Sequence, residues 1–327
     1  MILDLTKEKV LITGSSGFLG HHVVDLFRER GCELILPWSK EYNLLKESQV
    51  AAMYQRHDPS VVIHLAAVCG GIGANSAQPG RFFYDNMLMG MNVIHCAHKH
   101  NESHNSEIIK KLIMLGTVCS YPKHTPTPFQ EHHLWDGYPE ETNAPYGIAK
   151  KSLLVMLQAY HRQYGLNGCF LMPVNLYGEH DNFDPQSSHV IPAMIRKFHE
   201  AKLAGEPVLT LWGTGEASRE FLYAKDAAKA IWSAAMGLSS TMPMNIGSGR
   251  TIKIKDLAFL IARIVGYTGE VRFDCIHPDG QPSRQLDVSR ALHALGWEAS
   301  TSLEEGLERV VRWFRWYQAR VTVDSIS

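Results

Sequence analysis

The chain has 327 residues, 45% hydrophobic and 20% charged, with a formal charge of −1 from 32 basic and 33 acidic side chains. Its length exceeds the size at which one core stops growing, and its composition excludes a peptide-sized module and long disordered or low-complexity stretches. The charge balance excludes bulk attraction to nucleic acid or to an anionic membrane, so any bound anion has to be held by a local pocket.

Met1 to Lys9 carry charges where a secretory signal needs an apolar centre, and no apolar run approaches the ~18 residues of a spanning helix. The chain reads as cytoplasmic, with no membrane partner. Its six cysteines are scattered without a Cys-x-x-Cys spacing, so they read as reduced thiols, and no metal is expected.

Short β-branched runs at 9–13, 33–36, 61–65, 111–115 and 168–173 alternate with helical periodicity at 18–30, 48–56, 81–99 and 146–164. This alternation predicts an α/β fold, a doubly wound parallel sheet of Rossmann type built from βαβ units. Beyond 173 the rhythm loosens into a Gly, Asn, Asp and Pro-rich stretch at 177–188. A helix from about 190, a strand near 209–212, a helix at 226–236 and a strand at 243–246 follow. The expected division is a cofactor-binding domain of residues 1–173 plus about 222–247, and a smaller interleaved α/β substrate domain of 174–221 plus about 248–327.

The turn Gly14-Ser15-Ser16-Gly17-Phe18-Leu19-Gly20 follows the first strand and opens the first helix. Gly14 suits the tight turn, Gly17 lets a pyrophosphate approach the backbone, and Gly20 packs helix on strand. A dinucleotide cofactor is therefore expected. After the second strand the sequence runs Leu36-Pro37-Trp38-Ser39-Lys40, with no carboxylate to accept a ribose 2′-hydroxyl. Ser39 and Lys40 suit a 2′-phosphate, which favours NADP; the alternative is that Lys40 is a solvated loop lysine.

Tyr146 and Lys150 are four residues apart at the start of a helix, which places an ammonium group beside a phenol. A neighbouring cation favours the ionised phenol and makes it a proton donor to a nascent alkoxide at neutral pH. Thr117 leaves the fourth strand where open α/β sheets place active sites, positioned to hydrogen-bond a carbonyl oxygen. Cys119, two residues on, is the one cysteine read as chemical; filling the core is its alternative.

Together these residues resemble the extended short-chain dehydrogenases/reductases, and within them the enzymes that epimerise and reduce GDP-linked 4-keto-6-deoxy sugars. The likeness runs from Val10 to about Phe314. It rests on Ala66-Ala-Val-Cys-Gly-Gly-Ile72, Asn175-Leu-Tyr-Gly178, Asp181-Asn-Phe183, Ser188-His-Val-Ile-Pro192, Trp212-Gly-Thr-Gly215, Arg219-Glu-Phe-Leu222 and Pro278-Asp-Gly280.

The resemblance implies that Thr117, Tyr146 and Lys150 form a reductase triad and that Cys119 and His189 form an epimerisation pair. The protons on carbons 3 and 5 are acidified by the ketone at carbon 4, and inversion needs a base on one face and an acid on the other. It further implies cofactor contacts from Gly14, Ser16, Gly17, Phe18, Leu19, Gly20, Ser39, Lys40, Ala66, Tyr146, Lys150 and Pro173. Substrate contacts are implied from Asn175, His189, Lys197, Trp212, Arg219 and Arg284, and Trp212 can equally be read as a packed core tryptophan. Arg219 matches an arginine aimed at the diphosphate, and a homodimer through a four-helix contact is implied. Thr117 stands where serine is commoner, Val118 for a second small polar residue, Glu179 for proline, Lys197 for a second arginine and Ser16 where some members put an arginine. These departures leave the hexose open, because close relatives act on the 3-deoxy sugar leading to GDP-colitose or on GDP-linked 6-deoxy-heptoses. Reduction without epimerisation, a UDP-sugar 4-epimerase and a non-catalytic nucleotide sensor are the competing readings.

Overall fold

Aliphatic runs that are apolar on both faces can only be satisfied in a sheet covered on both sides. The computed structural model, which describes residues 2–274 and 281–324, builds one from them. The Pro278-Asp-Gly280 stretch and Cys275 lie outside the described residues. In chain order the first half contains β1 (Lys9–Thr13), α1 (Phe18–Glu29), β2 (Glu33–Ile35), α2 (Glu47–His57), β3 (Val61–His64), α3 (Ile72–Ala77), α4 (Pro79–Ser103), β4 (Lys111–Leu115), α5 (Ala144–Tyr164) and β5 (Gly168–Pro173). The second half contains β6 (Asn175–Tyr177), α6 (Val190–Ala204), β7 (Val208–Trp212), β8 (Ser218–Tyr223), α7 (Ala224–Gly237), β9 (Pro243–Ile246), β10 (Thr251–Lys253), α8 (Ile254–Val265), β11 (Glu270–Asp274), β12 (Ser283–Arg284), α9 (Ser289–Leu295) and α10 (Leu303–Asp324).

Six strands pair in the order β2-β1-β3-β4-β5-β9, every pair parallel. All residues of β3 and β4 are buried. Helix α1 packs with α7, while α2, α4 and α5 pack side by side. The chain reverses direction across the sheet between β1 and β3, the crevice where such sheets bind ligands. Strand β8 organises the second sheet: β10 runs antiparallel to it, and β12 and β6 run parallel. Strands β7 and β11 form a separate parallel pair.

Two cores result, one between the six-stranded sheet and its helices, the other around α6, α8 and α10. Residues 286–297, placed in the second unit by the sequence pattern, contribute Leu286, Ala291 and Trp297 to the first core. Helix α5 begins two residues ahead of Tyr146, and α4 extends to 79–103. The short elements α3 and β6 are additions that no periodicity announces.

Candidate active site

The carboxyl ends of β1, β3, β4 and β5 bring the site together. Gly14 adopts φ +71°, and a Cβ there would lie 2.6 Å from the Ala66 amide nitrogen. A Cβ on Gly20 would overlap the Gly14 carbonyl oxygen, so the turn after β1, the start of α1 and the end of β3 meet backbone to backbone. Thr13 Oγ1 and His64 Nδ1, 2.8 Å apart, tie the same two strand ends; burial pushes the His64 pKa to about 3, so that tie is uncharged. Gly17 caps α1 without a side-chain hydrogen bond, and Ser16 beside it is exposed. The first-turn amides therefore receive no side-chain cap from Gly17, an arrangement that suits an anion. Phe18 and Leu19 are half-buried at the helix start, and Pro173 ends β5. Ser39 and Lys40 occupy an exposed turn in which the Glu41 and Tyr42 amides donate to the Trp38 carbonyl.

Past β4, Thr117 caps a 3-10 turn over Val118–Ser120, its Oγ1 accepting the Cys119 amide at 3.2 Å. Helix α5 lies against this turn. A Cβ on Gly147 would overlap the Cys119 carbonyl oxygen, and Ser120 Oγ donates to the Gly147 carbonyl at 2.8 Å. That approach sets Tyr146, one residue earlier, in a side-chain hydrogen bond with Thr117. Cys119 is half-buried and borders the core without filling it. Lys150 is only 2% exposed, and desolvation pushes its ammonium down to about 8, opposed by nearby Cys69. Burial is also the first cause acting on Tyr146: it raises the phenol well above its ordinary value, with Cys69 and Cys119 adding to it and the Thr117 bond opposing. The phenol is therefore neutral, the form that donates a proton. Desolvation is the largest influence on its ionisation.

The 66–71 loop carries His189 to this place. The Gly71 amide donates to the Ser187 carbonyl at 3.1 Å, Asn75 Nδ2 donates to the Gly70 and Gly71 carbonyls, and His189 hydrogen-bonds the Gly70 carbonyl. The imidazole opens to solvent on one side, while the protein on its other side desolvates it and lowers its pKa. Cys69 on the same loop is exposed, and desolvation in the concavity pushes its thiol up. Asp181 lies behind this wall, Oδ1 accepting the Asn182 amide at 2.7 Å and Oδ2 buried without a partner. Burial raises its carboxyl to about 7. Reading by residue type gave no role to Cys69, Gly147 or Asp181; the first lies inside the Ala66–Ile72 motif, the second inside the Tyr146–Lys150 spacing, and the third begins the Asp181–Phe183 motif.

The remaining predicted residues line the second sheet and α6. Trp212 is 71% exposed at the end of β7, which rules out the packed-core alternative. Lys197 Nζ, also exposed, sits 5.4 Å from its ring centroid. Arg219 on β8 is in register with Arg284 on β12, so two guanidinium side chains are neighbours across a parallel pair. One Arg284 nitrogen lies 4.0 Å from Cys119 Sγ, and its Nε donates to Gln281 at 2.7 Å. Glu220, next to Arg219 in sequence and fully buried, accepts the Gly249 amide at 2.7 Å and the Leu286 amide at 2.6 Å. Its backbone carbonyl accepts Asn175 Nδ2 at 3.0 Å, so one Asn175 donor is already used in holding β6 to β8.

Residues 10–247 match the NAD dependent epimerase/dehydratase family. The chain belongs to that family. The GDP-L-fucose synthase of Escherichia coli strain K12 is 41% identical, over 95% of this chain and 97% of that one. GDP-L-fucose synthase 1 of Arabidopsis thaliana is 39% identical, over 94% and 93%. Among solved structures, a GDP-mannoheptose C4 reductase from Campylobacter jejuni with NADP bound superposes with a TM-score of 0.84 at 30% identity, covering 95% of this chain and 99% of that one. Each of these three alignments spans 94% or 95% of this chain.

Proposed function

We propose that the protein is an NADPH-dependent epimerase/reductase that converts GDP-4-keto-6-deoxy-D-mannose to GDP-L-fucose. The observation that carries this reading is the Thr117 hydroxyl bonded to the Tyr146 phenol with Cys119 held on the same 3-10 turn. One ketone can then meet a proton donor and a proton-abstracting thiol at adjacent carbons. The uncapped α1 terminus, the bare backbone between Gly14 and Ala66, and the exposed Ser39 and Lys40 fit a dinucleotide with a 2′-phosphate.

When bound, NADPH supplies the hydride to carbon 4. For each inversion Cys119, as thiolate, takes the proton from carbon 3 or carbon 5 and His189 returns one to the opposite ring face; before the second inversion Cys119 gives its proton to solvent and His189 regains one from it. A lowered imidazole pKa makes the protonated ring a readier donor. Tyr146 gives its phenolic proton to the oxygen on carbon 4 as the alkoxide forms, Thr117 orients that oxygen, and Lys150 holds the nicotinamide ribose. The registered pair Arg219 and Arg284 suits the diphosphate, where a planar fork meets phosphate oxygens, and Trp212 beneath Lys197 suits the guanine end.

Residues 1–173 with about 222–247 serve the cofactor in this reading, and the remainder, apart from the returning 286–297 segment, serves the sugar nucleotide. The workplace is the cytoplasm; among the described residues no helix is long and apolar enough to cross a membrane. A homodimer through α4 and α5 is supported by their mutual packing and by exposed Tyr84, Met91, Val155 and Tyr164 on them. The test is to follow cofactor absorbance with GDP-4-keto-6-deoxy-D-mannose and to assign the product by NMR: GDP-L-fucose is expected. The similarity to the heptose reductase favours a second reading, reduction of a related GDP-4-keto sugar. It gains if NADPH is consumed only with 3-deoxy or heptose analogues.

A further inference from the structure

At the amino-terminal edge of the six-stranded sheet, opposite the active site, α2 ends just before β3 and α4 ends just before β4. Asp58, in the left-handed region at φ 49°, caps the end of α2. Its Oδ1 lies 2.8 Å from Nε2 of buried His100. One helical turn on, exposed His104 closes α4, its ring centroid 4.5 Å from that of His100 and its Nδ1 2.8 Å from the His100 carbonyl. One nitrogen from each ring and a carboxylate oxygen all lie within 4.8 Å of one another. We propose that Asp58, His100 and His104 form a binding site for a divalent first-row transition ion of the zinc class, with water completing the coordination.

Two imidazoles and one carboxylate are a donor set that such an ion accepts. Tetrahedral ligands at ~2.0–2.1 Å from zinc stand about 3.3 Å apart, so the Asp58–His100 pair needs to open only slightly while exposed His104 closes in. Residues four apart on a helix share a face, which puts both imidazoles on the side that meets Asp58. The field at the place is favourable as well, because the negative dipole ends of α2 and α4 converge on it. The ion would take the place of the hydrogen bond between His100 Nε2 and Asp58 Oδ1. Its effect is to pin the end of α2 to the end of α4, far from the reacting sugar.

The test uses the full-length protein stripped with chelator and titrated with Zn²⁺ by calorimetry, together with thermal melts. One ion per chain and a raised Tm are expected, with His104→Ala and Asp58→Asn each weakening binding at least about tenfold and removing the Tm gain. Both variants should keep the reductase rate. Substitution with Co²⁺ should give ligand-field bands without the intense thiolate charge-transfer band that a cysteine site would show. Failure of the intact chain to bind a stoichiometric ion overturns the proposal, as does unchanged binding in both variants or a thiolate band.

Discussion

The two walls of the active site hold their side chains by different means. On the sheet side, backbone meets backbone: Gly14 on Ala66, Gly20 on Gly14 and Gly147 on Cys119 leave no room for a methyl group, and Lys150 is buried among them. On the other side, long side chains reach from α6, β7 and β8, with Trp212 and Lys197 facing solvent and Glu220 fixed at depth. Rigid contact at the first wall suits proton and hydride positions that tolerate about 1 Å of error at most. Reach and charge at the second suit a flexible diphosphate. In the proposed reading the hydride and phenolic proton positions depend on the first wall and sugar-nucleotide recognition on the second, so the two should fail separately under mutation.

Gly147→Ala is the strongest way to break that separation, since its methyl must displace the Cys119 carbonyl and with it Thr117 and Tyr146. Both epimerisation and reduction should fall by roughly 10²-fold while the KM for the sugar nucleotide stays within a few-fold; steady-state kinetics with each readout decide it. A pH profile sharpens the same wall. Lys150 loses its charge as pH rises through about 8, so kcat/KM for the cofactor should decline above that point, approaching tenfold per pH unit. A flat profile to pH 9.5 would remove Lys150 from ribose binding.

On the recognition wall, Trp212→Ala should raise the KM for the sugar nucleotide about tenfold with kcat nearly unchanged, one stacking contact being worth ~1.4 kcal/mol. The smallest effect concerns Asp181, whose Oδ2 is buried without a hydrogen-bond partner. Its folded pKa of about 7 lies above the unfolded value, so the unfolded state gives up its proton first and stability declines as pH rises from about 4 to 7. Asp181→Asn keeps the acceptor for Asn182 and removes the charge; melts should show a higher Tm at pH 8 and no gain at pH 4.

Local spacing made the first wall legible. Three glycines after a strand, and a tyrosine four residues ahead of a lysine, describe contacts within one turn of chain, and the structure puts each at a strand end of the sheet. What stayed hidden depends on neighbours distant in sequence. The raised values of Asp181 and Cys69 come from desolvation by surroundings that no periodicity reports. The electrostatic expectation for Tyr146 weighed one cation and omitted desolvation, which is larger. Trp212 could be read as core or surface until its exposure decided it. The short α3 and β6 fell below the length at which a pattern repeats, and residues 286–297 gave no sign in their composition that they return to the first core.

In the proposed reaction Tyr146 protonates the ketone oxygen at a carbon flanked by positions where Cys119 and His189 exchange protons. Incubating Tyr146→Phe and Cys119→Ser separately with GDP-4-keto-6-deoxy-D-mannose and NADPH in deuterated water tests it directly, with absorbance reporting reduction and NMR locating the label. Tyr146→Phe should stop NADPH consumption, by roughly 10²–10⁴-fold, while deuterium still enters carbons 3 and 5; Cys119→Ser should suppress that entry. Normal NADPH consumption by the tyrosine variant, or undiminished exchange in the cysteine variant, would contradict the account.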